Sequence, residues 1–208
     1  MKKFLSLFLS FSLLFTIGAC SREEPLSELE SIQKQLAEME GYTCTATLTR
    51  TNEKGTQTYE TKQYCKSTGE YRLELLAPEN VAGNYTIFDG KCLCQYNPRL
   101  DSSIIRDIPE SQHRNELFLN QFIKNYMQSE GVSVETAALD ESRCVVLEAI
   151  IPGNDSALAS EKLWVDRESL LPVRFVIYDA DKKERYCMDY SSFEFNPQFD
   201  DALFTIEE

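Results

Sequence analysis

Histidine is almost missing from this chain of 208 residues, and the single copy is His113. A nucleophile–histidine relay therefore has one candidate base, and no GxSxG elbow presents a serine to it. No HExxH helix and no glycine-rich phosphate loop occurs either. Cysteine is present seven times but never as a CxxC pair, which removes the usual zinc frameworks. A metal reading would have to join Cys92 and Cys94 to Cys187 or Cys144. Positive charge is scarce as well. Lys and Arg total 21 against 34 Asp and Glu, a formal net charge of −13. With Lys2 and Lys3 set aside, 19 basic residues face 34 acidic ones, a net charge of −15. Such a surface repels nucleic acid, so no nucleic-acid partner is expected. The carboxylates are spread over strands and turns as a wet face, and no glycosidase-type pair stands out. The chain reads as a non-enzyme with no cofactor and no metal. His113 reads as a solvated residue in the first turn of a helix.

Long apolar runs are absent too. The longest, Phe4 to Phe15, is interrupted by Ser6, Ser10 and Ser12 and falls short of the roughly 20 residues that span a bilayer. It follows Lys2-Lys3 and precedes Ile17-Gly18-Ala19-Cys20. This order resembles a bacterial lipobox, in which the cysteine becomes the acylated first residue of the mature protein. Residues 1–19 are then a lipoprotein signal peptide, Cys20 is the lipidation site and residues 20–25 are a tether. Two acyl chains hold a protein to a membrane where one is marginal. The expected location is extracytoplasmic, on a cell or spore membrane. The alternative is an ordinary cleaved signal peptide.

What remains, residues 26–208, is dominated by alternation. Tyr42, Cys44, Ala46 and Leu48 alternate with threonines, and Tyr71, Leu73 and Leu75 alternate with Glu70, Arg72 and Glu74. A period of two marks strands with one dry face. Strands are expected over Tyr42–Arg50, Thr56–Lys66, Tyr71–Leu75, Asn84–Phe88, Lys91–Tyr96 and Asp101–Ile108. Five more are expected at Ser133–Leu139, Arg143–Ile151, Glu161–Asp166, Leu171–Ala180 and Glu184–Phe195. Asp89-Gly90 is placed to supply the two positive-φ residues of a type I′ hairpin turn. Helical spacing appears twice. Leu26, Leu29, Ile32, Leu36 and Met39 run toward Gly41, and Leu119, Phe122, Ile123 and Tyr126 place a helix over about 112–128. The second stripe reads as core rather than as a ligand box. Fold class is therefore mainly β: an incomplete, strongly curved antiparallel barrel of about eleven strands, with helices plugging its concave face. No internal repeat divides it.

Cys44 and Cys65 lie near register across the first hairpin, and two readings stay open. They form a disulfide, or they are buried thiols acting as small apolar groups.

Several stretches in order resemble the LolA/LolB superfamily of lipoprotein carrier and receptor domains. They are Tyr71-Arg72-Leu73-Glu74 with Ala77-Pro78-Glu79, Asp89-Gly90-Lys91 and Tyr96-Asn97-Pro98, then Leu163-Trp164-Val165-Asp166, Leu171-Pro172-Val173, and Asn196-Pro197 through Phe204. Val81-Ala82-Gly83-Asn84, Phe122 to Glu130, Val146-Leu147-Glu148-Ala149 and Glu161 to Asp166 are similar to the GerS-type germination lipoproteins of clostridial spores. That resemblance implies a non-catalytic helper of a cortex-modifying N-acetylmuramoyl-L-alanine amidase of the CwlD type, acting when spores germinate and degrade cortex. The alternative it implies is a lipid- or lipoprotein-binding protein of the cell envelope. Its lining would be Tyr71, Leu73, Tyr85, Ile87, Phe122 and Trp164, each of which also reads as ordinary core. Lipid-shuttling members carry Arg-Pro shortly before the strand that matches Tyr71, where this chain has Lys66-Ser67-Thr68. That departure, and an anchor at Cys20, argue against a soluble shuttle. A free strand edge would serve an amidase or a homodimer.

Overall fold

The computed structural model describes residues 27–110, 113, 115–128, 133–139, 142–153 and 155–206. The expected leader, Cys20 and the tether lie outside the described residues.

Helix α1 (Glu28–Ala37) opens on a capping box. The Ser27 hydroxyl accepts the Glu30 N–H at 3.3 Å, and the Glu30 carboxylate accepts the Ser27 N–H at 2.7 Å, so two orphan donors of the first turn are satisfied. Ile32 and Leu36, then Met39 beyond the helix, are buried against the sheet, as their spacing requires. The helix stops short of Gly41 because that glycine already belongs to the sheet. Asn196 reaches across with its side-chain oxygen and accepts the N–H groups of Glu40 at 2.7 Å and Gly41 at 3.3 Å. A Cβ on Gly41 would stand 2.7 Å from the Cys65 carbonyl and 2.9 Å from the Phe199 ring. Only glycine fits there.

Eleven strands form one antiparallel sheet. In chain order they are β1 (Gly41–Asn52), β2 (Gly55–Lys66), β3 (Tyr71–Ala77), β4 (Tyr85–Phe88), β5 (Cys92–Asn97), β6 (Ser102–Asp107), β7 (Ser133–Leu139), β8 (Ser142–Ile150), β9 (Ser160–Asp166), β10 (Pro172–Tyr178) and β11 (Glu184–Phe195). The spatial order is β6-β5-β4-β3-β2-β1-β11-β10-β9-β8-β7, which leaves β6 and β7 as the two edges. The barrel does not close. Register shifts at Thr45/Ala46, Glu60/Thr61, Pro172/Arg174 and Ile177/Tyr178 bend the strands as bulges do, and the sheet curves around its core.

Two turns depart from expectation. Asn52 pairs with Gly55, so the first hairpin places Tyr42 opposite Cys65 and Cys44 opposite Gln63. Of the two readings left open for Cys44 and Cys65, the structure has the buried thiols and not the disulfide: the two sit on a diagonal, and both are free. Phe88 pairs with Leu93, which makes Gly90-Lys91, not Asp89-Gly90, the central pair of the second turn. Gly90 has φ 95°, while the Asp89 carboxylate accepts the N–H groups of Lys91 and Cys92 at 2.9 and 2.7 Å. Glycine first is the type II′ arrangement.

Helix α2 (Leu119–Gln128) crosses the concave side between β6 and β7 in sequence. It starts at Leu119, later than about residue 112. Ahead of it Phe118 is buried in a turn, its N–H donating to the Asn115 carbonyl at 2.9 Å. The Tyr42 hydroxyl then accepts the Leu119 N–H at 3.3 Å, so the sheet supplies the cap. Phe122 is fully buried, stacked on Tyr126 at 5.8 Å and edge-on to Phe175 of β10 at 5.7 Å. Around it lie Leu147, Leu163, Ile177 and Met188, none with exposed surface. A final 3₁₀ turn, Asp201–Phe204, buries Phe204 edge-on to Phe199 and under the Lys66 ammonium, apart from the main core.

Candidate functional site

Two places on this frame can meet another molecule, the open cleft beside α2 and the convex face with its two edges; a third feature, the polar string beneath α2, is buried.

The cleft has a volume of about 1080 Å³. It is lined by Leu36 and Met39, by Ile123, Lys124 and Met127 of α2, and by Phe88 and Lys91. His113 also lines it. Its ring lies edge-on to Phe88 at 4.8 Å, with Nε2 3.0 Å from the Ile108 carbonyl. His113 is thus half-buried and lies ahead of the helix, which corrects its placement as a solvated first-turn residue. Apolar walls with amides and two lysines can hold an amphipathic ligand.

Beneath α2 runs a line of polar groups that the alternation of the strands turns inward. Tyr42 donates its hydroxyl to Gln63 Oε1 at 3.1 Å, and Gln63 Nε2 donates to Met188 Sδ at 3.2 Å. Further along α2, Gln121 Nε2 donates to Asn125 Oδ1 at 2.9 Å, and Asn125 Nδ2 donates to Glu161 Oε1 at 2.8 Å. Burial pushes the Glu161 carboxyl up from 4.5 to about 7; the Asn125 hydrogen bond opposes the shift and the nearby Glu116 charge adds to it. Burial likewise lifts Cys44 far above the thiol range and Cys65 to about 12. Neither is a thiolate at neutral pH, so both are inert as nucleophiles and metal ligands. Sequence reading missed Glu161 and Asn125 as buried polar groups. The signal was there: Glu161 occupies an inward position of β9, in phase with Leu163 and Val165.

The six expected cavity residues are divided by the register. Tyr71 is set opposite Phe88, Leu73 opposite Thr86, and Arg72 opposite Ile87. Tyr71 and Leu73 therefore face the core with Phe122, where Tyr71 stacks on Phe118 at 4.1 Å. Tyr85, Ile87 and Trp164 lie on the other, convex face and line no concave cavity. Trp164 pairs with Val146 and Arg174 between the inward Leu163 and Val165.

On that convex face Arg72 packs its guanidinium 4.1 Å from the Tyr85 ring centre and bonds Glu74 at 2.6 Å, and Tyr85 stacks on Tyr96 at 4.9 Å. The group adjoins the β6 edge, where every residue is exposed; Ile105, 42% exposed and in line with Cys94 and Ile87, shares the convex face, and Ile104, 53% exposed, faces the other way. Aromatic and arginine side chains beside exposed aliphatics are the usual anchors of protein interfaces. No described strand pairs with the outer side of β6 or β7. Among the described residues, no group of three His, Cys, Asp or Glu is placed to hold a metal ion, and no helix is long and apolar enough to cross a membrane.

Comparisons with known proteins agree with this frame. The family model for the sporulation protein YdcC-like proteins matches residues 1–204. Sporulation protein YdcC of Bacillus subtilis strain 168 is 20% identical over 203 residues, which is 98% of this chain. This chain spans 60% of the length of that relative. Among solved structures, an uncharacterized conserved protein from Thermus thermophilus superposes with a TM-score of 0.54 at 16% identity, over 88% of this chain and 96% of its own. A chain from the structure of the Clostridioides difficile CwlD amidase in complex with the GerS lipoprotein superposes with a TM-score of 0.50. It is 25% identical, over 84% of this chain and 99% of its own. The GerS likeness read from the motifs thus returns in three dimensions.

Proposed function

Because the chain belongs to the family of YdcC-like sporulation proteins, we propose that it is a non-catalytic lipoprotein that binds and regulates a cortex-modifying amidase of the CwlD type. In this reading residues 1–19 are a leader, and a lipid on Cys20 with the short tether 20–25 holds the domain on an extracytoplasmic membrane surface. There it serves spore germination and cortex degradation through contact alone. The observation that carries the proposal is the likeness, over most of both chains, to a member of the CwlD–GerS complex. Two features fit it. The exposed β6 edge offers unpaired backbone groups for strand addition, and Ile104 and Ile105 offer apolar anchors beside them.

The test mixes the purified mature domain with the amidase encoded in the same genome. Co-elution, a changed amidase rate, and weakening of both by Ile105→Lys are expected. Separate elution with an unchanged rate refutes the proposal. A mass corresponding to two copies, with no amidase bound, assigns the edge to a homodimer instead. The cleft beside α2 favours a second reading, a lipid- or lipoprotein-binding role. Organic extraction of the purified domain and titration with a fluorescent fatty acid test it, and the absence of both bound lipid and a fluorescence change dismisses it.

A further inference from the structure

We infer that Glu161 is a proton-controlled latch for α2: protonated, it lets the helix seat firmly on the concave face of the sheet, and ionised, it loosens the helix and makes its opening more frequent. Glu161 is fully buried on β9, with Ala149 of β8 and Ile177 of β10 as its ladder neighbours. Its Oε1 accepts the one hydrogen bond from Asn125, itself 3% exposed, and its Oε2 has no partner. From α2 it faces only neutral groups, Asn125 and behind it Gln121. The charged group that acts on it is Glu116, in the turn ahead of α2, which carries the same sign. Among the described residues no cation offsets it.

This arrangement distinguishes sharply between the two protonation states. As an acid, the group leaves one polar atom unpaired, an ordinary local penalty. As an anion, it is a buried charge held by one neutral donor beside a like charge, which a protein interior strongly disfavours. Water is the remaining source of relief. On the sheet side, strands β8 and β10 close the way. On the other side the cover is α2, a helix of ten residues. Among the described residues its other polar ties to the rest of the chain are the Tyr42 hydroxyl at Leu119 and the Gln33 amide donating to the Tyr126 hydroxyl at 3.0 Å. Ionisation therefore favours lifting α2 against the hold of Leu119, Phe122 and Tyr126, and openings of the concave floor become more frequent as pH rises. Burial, which raises the carboxyl to about 7, puts the change near neutral pH. The latch does not depend on which partner the domain binds.

Hydrogen exchange of the mature domain, read on peptides from 119–128 and from β1 and corrected for intrinsic rates, tests this. For one carboxyl that titrates near 7 when covered and near 4.5 when free, opening of α2 should increase about tenfold from pH 6 to pH 8. Protection of β1 should stay level. Glu161→Gln should flatten the α2 response, because the amide keeps the acceptor for Asn125 and cannot ionise. Asn125→Ala removes the donor that favours the anion, so the midpoint should move to higher pH. Protection of α2 that does not change between the two pH values overturns the inference. So does a Glu161→Gln protein that responds like wild type, or an Asn125→Ala midpoint that stays put or falls.

Discussion

Replacing Phe122 with alanine removes the ring on which the concave core closes. The side chain has no exposed surface, and it contacts Tyr126 and Phe175 at ring separations of 5.8 and 5.7 Å. Truncating a buried phenylalanine costs about 3–5 kcal/mol, combining lost burial with the cavity left behind. The two ring contacts place this site in the upper part of that range. For a domain of this size each kcal/mol lowers the midpoint by about 2–4 °C, so a fall on the order of 10–15 °C is expected. Trp164→Ala provides the contrast. Trp164 is half-buried on the convex face, where water reaches the site and no sealed cavity forms, so a loss of about 1–2 kcal/mol is expected. Urea and thermal unfolding of the two variants check both values. If Trp164→Ala costs as much as Phe122→Ala, the assignment of the two rings to opposite faces is wrong. A Phe122→Ala loss below about 1 kcal/mol would mean that α2 does not close the core.

A Cβ on Gly41 has no room, so Gly41→Ala should destabilise by about 1–3 kcal/mol, whereas Gly55→Ser at the open hairpin tip should act only through its φ of 119°; paired urea curves decide. Thiol titration of the native domain should label the half-exposed Cys92 before Cys44 and Cys65, and an intact mass two hydrogens below the reduced value would contradict the free thiols. Glu161 titrates higher folded than unfolded, so its contribution is complete below pH 4.5 and is lost as pH rises through about 7. Relative to Glu161→Gln, wild type should therefore lose about 3 kcal/mol across that window, and a constant difference in unfolding free energy from pH 4.5 to 8 would refute this.

Much of the architecture could be read from the chain because a curved sheet with one dry face imposes a period of two. Tyr42, Cys44, Ala46 and Leu48 are all buried, and the expected strands from Tyr42 to Phe195 appear with ends displaced by a residue or two. Two kinds of information were not local. Whether Tyr71 shares a face with Tyr85 or with Phe88 depends on the length and bends of the 78–84 connection, which sets Tyr71 opposite Phe88. Where α2 begins depends on the Tyr42 hydroxyl, 77 residues away. A Cys44–Cys65 pair was not decidable for a similar reason, since a hairpin centred one residue away places each thiol opposite a different residue. Trp164 is different. Its neighbours Leu163 and Val165 already fixed its face, and that signal was legible in the alternation of the strand.

A calorimetric titration of the mature domain with the CwlD-type amidase of the same genome addresses most directly whether this protein acts by contact. A saturable heat with one domain per amidase, weakened by Ile105→Lys on the β6 edge, is the predicted result. No heat of binding from two folded proteins, at concentrations where an interface of ordinary size would be filled, would contradict it.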